Sequence, residues 1–151
     1  MTVGFQFRET MTGTYHMLAT PLDERAITFT IGAKVDGLRR FLKDRLATIE
    51  GEVDVEGFAD RRPIRGTLAL KLLDERRLGY EFAFKGNDEH DYRFRGQKDV
   101  TPIALVDSMT VLPASLYDAE GREIGRATLR FDVRGDLVTF LKSWKLLLLG
   151  R

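Results

Sequence analysis

The residues best placed to do chemistry in this chain are one acid and one base. Glu9 lies between Phe7 and Met11, and Lys98 lies between Gly96 and Val100, each at the parity of its non-polar neighbours. If those neighbours turn inward, both charges turn inward with them. A charge taken out of water costs several kcal/mol unless it is paired and hydrogen-bonded. Glu9 and Lys98 therefore read in two ways: as a structural ion pair, buried or at a rim, or as the polar anchor of an apolar pocket that orients a ligand's hydroxyl or carboxylate. The walls of that pocket would be Tyr80, Phe82, Tyr92, Phe94, Met109 and Phe131, residues that a plain core needs equally. A third reading makes Glu9 the general base of a small isomerase or hydrolase, which requires a raised pKa and a pocket that excludes water.

Other chemistry is poorly supplied. The chain has no cysteine, which excludes disulfides, thiolate zinc sites and a cysteine nucleophile. Its histidines are His16 and His90, and neither belongs to an HExxH pair. His90 sits in Asp88-Glu89-His90-Asp91, which reads as a solvated turn, because a closed metal site needs fixed ligands. His16 follows Tyr15 and reads as surface or rim. Glu50, Glu52, Asp54 and Glu56 alternate with Ile49, Val53 and Val55, so these carboxylates face water. The basic, aromatic stretch Tyr92-Arg93-Phe94-Arg95 superficially resembles a nucleic-acid platform, but such a sheet needs its rings exposed beside its cations. Alternation puts the two rings opposite the two arginines. With 24 basic against 23 acidic residues and a net charge of +1, nucleic acid is not an expected partner. No catalytic residue, metal or cofactor is assigned.

Period-two alternation dominates the elements that must position these residues. It runs through Phe5–Met11, Ile27–Val35 and Thr48–Gly57, then through Leu68–Leu72, Leu78–Phe84 and Tyr92–Val100. Two further runs, Ser108–Tyr117 and Glu123–Val133, form a hairpin around Asp118-Ala119-Glu120-Gly121. Eight such runs with turn residues between them indicate an antiparallel eight-stranded barrel, lipocalin-like or closely related, with a two-sheet sandwich as the second choice. Two segments take helical spacing instead: Asp36–Asp44, through Leu38, Phe41 and Leu42, and Asp136–Leu148, through Leu137, Phe140, Leu141, Trp144 and Leu148. Each has an aspartate placed as N-cap. The two belong to a faint repeat, since Val35-Asp36-Gly37-Leu38 leads to Phe41-Leu42 as Val133-Arg134-Gly135-Asp136-Leu137 leads to Phe140-Leu141. The second helix carries more apolar surface than one face needs. Trp144, Leu147 and Leu148, beside Lys142, Lys145 and Arg151, read as a protein contact, such as a homodimer interface. Residues 1–151 are expected to form a single domain. No window approaches the about 18 apolar residues of a membrane span. The segment Met1–Glu9 lacks the pattern of a secretory signal, so a cytoplasmic setting is expected.

Several short phrases carry a family resemblance. Phe7-Arg8-Glu9-Thr10-Met11-Thr12-Gly13 resembles an F-x-E-T-M-x-G phrase, and Arg76-Arg77-Leu78-Gly79-Tyr80 with Phe82 resembles a basic-pair, aromatic-rich strand. Tyr92–Val100 resembles an aromatic-x-L-x-G-x-K-x-V strand, and the run from Asp136 to Trp144 resembles a D-x-x-x-L-x-S-[FW] ending through Leu141 and Ser143. Together they resemble the accessory β-domain of cholesterol-oxidase-like members of the glucose-methanol-choline flavoproteins. The G-x-G-x-x-G phosphate loop of the flavin part and the G-x-S-x-G elbow of hydrolases are both missing. The resemblance thus implies the accessory unit standing alone, with a flavoprotein oxidoreductase as partner and a sterol-like or other lipophilic molecule as ligand. The leading expectation is a non-catalytic accessory or binding domain. The second is a structural, protein-interaction module with a filled barrel.

Overall fold

The computed structural model describes residues 5–35, 37–71, 77–99 and 111–131. Strands β1 (Phe5–Met17), β2 (Arg25–Val35), β3 (Leu46–Val55) and β4 (Ala59–Lys71) are followed by β5 (Arg77–Lys85), β6 (Asp91–Asp99), β7 (Val111–Tyr117) and β8 (Glu123–Phe131). Each strand pairs antiparallel with the next, and β8 returns to pair with β1 through Met11↔Phe131 to Met17↔Gly125. The result is a closed eight-stranded antiparallel barrel, not the two-sheet sandwich held as second choice. Closure satisfies the edge hydrogen bonds that an open sheet would leave bare.

The alternation in the sequence is the wall of this barrel seen residue by residue. Ile27, Phe29, Ile31, Ala33 and Val35 are all buried, whereas Thr28, Thr30, Gly32 and Lys34 point outward. The acidic side of β3 is exposed, and its charges meet β4: Glu50 faces Arg65 at 3.3 Å and Glu52 faces Arg61 at 3.7 Å. Tyr92 and Phe94 are buried while Arg93 and Arg95 are exposed, which separates the rings from the cations. Eight strands enclose a bore that side chains just fill. Here Phe29 meets Phe82 and Phe94 edge-on at 5.2 and 5.3 Å, and Phe82 stacks on Phe94 at 4.6 Å.

Two strands are longer than alternation alone suggests. β1 continues past Met11 to Met17, carrying the buried Tyr15, whose hydroxyl donates to the Glu56 carbonyl oxygen. β4 begins at Ala59, nine residues before Leu68. Its first half hides because Arg61 has φ of 45°, the register slips between Val53 and Val55, and Pro63 and the arginines mask the pattern. That irregularity is a β-bulge, which breaks period two locally.

The two ends differ. The connections after β1, β3, β5 and β7 gather at one end. At the other, helix α1 (Leu38–Asp44) joins β2 to β3 and buries Phe41. Its N-cap is Gly37 with no side-chain cap, where Asp36 was expected; Asp36 itself lies outside the described residues, as does the expected helix Asp136–Leu148.

Candidate functional site

The interior half nearer α1 holds the polar groups. Glu9 lies on β1 opposite Ile31 and is 2% exposed, the one charged side chain that is buried among the described residues. Parity forces this, since Phe7 and Met11 on either side are both core residues. Tyr80 lies on β5, four strands away, with Leu68 and Gly96 as its lateral neighbours. Continuing round the wall from Gly96, the register gives Ala114, Ala127 and then Tyr15. Three minimal side chains thus stand in a row on β6, β7 and β8, and the Leu112 side chain packs over Gly96. The Tyr80 ring reaches Phe29 at 5.7 Å and Phe131 at 6.0 Å, on the strands that flank β1.

The Tyr80 hydroxyl is buried and has no hydrogen-bond partner among the described residues. Burial pushes its pKa well above the ordinary phenol value, and the Glu9 charge adds to that push. Tyr80 therefore stays protonated and able to donate. A carboxylate accepts hydrogen bonds and a phenol both donates and accepts, so the pair can together hold a group with one donor and one acceptor site. An alcohol is the simplest such group. Among the described residues, no cluster of histidine and carboxylate ligands is assembled to hold a metal ion.

Of the residues expected to line a pocket, Glu9, Tyr80, Phe82, Phe94 and Phe131 do share the interior. Tyr92 belongs to the same buried core but sits further along the barrel. It is buried at the turn end, packed on Phe58 at 4.6 Å, and its hydroxyl donates to Asp88. Parity places a side chain on a face; it says nothing of its height in the barrel. The side chain of Lys98, and Met109, Trp144, Leu147 and Leu148, lie outside the described residues. Sequence reasoning missed Phe29, which sits at the centre of the ring cluster and carries a signal in its alternating run.

Asp88-Glu89-His90-Asp91 forms an exposed turn, with the His90 N–H donating to the Asp88 carboxylate at 3.0 Å. Comparison with family models, with curated proteins and with solved structures gives no match for this chain.

Proposed function

We propose that the protein is a lipocalin-like, non-catalytic binding domain whose barrel takes a lipophilic alcohol, its hydroxyl accepting from Tyr80 and donating to Glu9. The observation that carries this reading is the buried Tyr80 hydroxyl without a partner among the described residues. A stranded buried donor costs about 1–3 kcal/mol, and a ligand that satisfies it recovers much of that. A carboxylate ligand is disfavoured by the Glu9 charge, and an alcohol suits both groups. The sterol-like class and an association with a flavoprotein oxidoreductase rest on the family resemblance of the motifs around Glu9, Tyr80 and Lys98.

The test is native mass spectrometry followed by titration calorimetry with a 3-hydroxysterol and with its methyl ether, which cannot donate. Binding of the alcohol, with at least about tenfold weaker binding of the ether and of Tyr80→Phe, is expected, a loss of about 1.4 kcal/mol each. Glu9→Gln should weaken the alcohol about tenfold as well. Absence of binding, together with a fall in stability in Glu9→Gln, would instead make Glu9 part of a structural pair.

One observation favours a second reading, the filled structural barrel. The rings of Phe29, Tyr80, Phe82 and Phe94 pack across the bore at 4.6–5.7 Å, so a ligand would have to lodge in the half beside α1.

A further inference from the structure

The turn end of the barrel, opposite the Glu9 and Tyr80 half, carries a separate open cleft of about 880 Å³. Its floor is apolar and aromatic, built from Met17 of β1, Phe58 of the β3–β4 turn, Tyr92 of β6 and Ile124 of β8. Phe58, 4.6 Å from Tyr92, is only partly buried, and it is joined by the half-exposed Met17 and Ile124. The lip is apolar as well: Leu18 lines the cleft at 40% exposure, next to Ala19. Leaving Leu18 in water above an apolar, aromatic floor is unfavourable, and such surface marks a contact site.

The charges around the cleft choose the partner. Glu89, Asp91, Asp118, Glu120 and Glu123 line it, against a single arginine, Arg122. Asp118 and Glu123 are held at 3.0 Å by Arg122 and Arg126, and the other three acids meet their cations more loosely. Glu89 meets Arg62, Asp91 meets Lys85 and Glu120 meets Arg122, at 3.0–3.4 Å, with both side chains well exposed in the last two. Exposed pairs of this kind contribute little, so an incoming cation can replace either partner at small cost. The backbone beneath is firm. Asp118 accepts from the N–H groups of Glu120 and Arg122, and Asp88 accepts from the Tyr92 hydroxyl, which fixes both turns at the rim.

We infer that this cleft is a docking site for a basic, apolar segment of a partner protein: a leucine or tryptophan seated on the Phe58 and Tyr92 floor, flanked by lysine or arginine facing the acidic rim. Apolar contact supplies affinity, and the acids supply selection and salt dependence. The site is independent of the interior one.

The experiment uses the full chain and a fluorescently labelled decapeptide of lysines and leucines around one tryptophan, with a second peptide carrying glutamate for every lysine. Anisotropy should report saturable binding of the basic peptide, weakening at least about fivefold when salt rises from about 50 to about 200 mM, and little binding of the acidic one. The exposed double variant Glu89→Gln/Glu120→Gln should weaken the basic peptide about fivefold or more, and Leu18→Ser about threefold, with unchanged circular dichroism. Equal binding of both peptides, no saturable binding, or wild-type affinity in both variants would overturn the proposal. Sedimentation of the chain alone is run in parallel. Self-association weakened by the same variants would identify the partner as a second copy, and monomer with peptide binding would identify a different protein.

Discussion

Tyr80 and Tyr92 are both buried tyrosines on inward-facing positions, yet their hydroxyls have opposite fates. Tyr92 finds Asp88, and burial together with that bond pushes its pKa up to about 12. Tyr80 finds no partner among the described residues, and its pKa is raised by burial first and by Glu9 second. A phenol whose folded pKa exceeds its unfolded value of about 10 adds stability that is complete below pH 10 and is lost as pH climbs above it. Stability should therefore fall between about pH 10 and 12, with Tyr80 ionising only as the chain unfolds. Phenolate absorbance followed alongside circular dichroism checks this; early ionisation of all tyrosines would contradict it. At the acid end the direction reverses. The Tyr92 hydroxyl holds the Asp88 carboxyl low, the Arg122 backbone N–H does so for Asp118, and the Ser115 hydroxyl does so for Glu123. Their stabilisation is present above the ordinary carboxylate range and is lost as pH drops below about 4. In the free protein Tyr80→Phe removes a stranded hydroxyl, so its thermal midpoint should not fall, and a stabilisation of up to about 1 kcal/mol is expected.

At two inward-facing glycines the backbone of a neighbouring strand comes in close. A side chain at Gly51 of β3 would run into the Thr30 carbonyl of β2, and one at Gly66 of β4 would run into the Glu81 carbonyl of β5. Both occupy inward parity in an otherwise apolar row. Gly32 of β2 faces outward, and a methyl there would lie 4.0 Å from the nearest atom, the Glu50 carbonyl oxygen. Gly51→Ala and Gly66→Ala should thus each cost at least about 2 kcal/mol, while Gly32→Ala stays within about 0.5 kcal/mol of wild type. Urea denaturation measures all three. Equal effects at the three sites would mean that the close approaches relax without cost.

At the scale of the whole molecule, stability depends on the ring cluster that joins opposite walls. Phe29 on β2 touches Tyr80 and Phe82 on β5 and Phe94 on β6, so it ties strands that no hydrogen bond connects. Phe29→Ala should cost about 3–5 kcal/mol and lower the midpoint of one cooperative transition. Two separated transitions would show that the halves of the barrel unfold independently. Closure through β1 and β8 pairs residues from the two ends of the described chain, and such non-local topology folds slowly, on the order of milliseconds to seconds.

Period two in the sequence determined by itself that this chain is a mainly β protein of eight strands, and it assigned inward parity to Glu9, Tyr80, Phe82, Phe94 and Phe131. It succeeded because a strand's two faces meet different solvents, and each residue type records which one it meets. Parity is a one-dimensional signal, so it was blind to height along the barrel and to which strands stand opposite. Tertiary structure alone decided between the barrel and the sandwich, that Tyr92 sits at the turn end with Phe58, and that Tyr80 reaches across to the strands beside Glu9. Those relations arise from register between strands far apart in the chain, which residue-by-residue alternation does not encode and which the bulge near Arg61 interrupts.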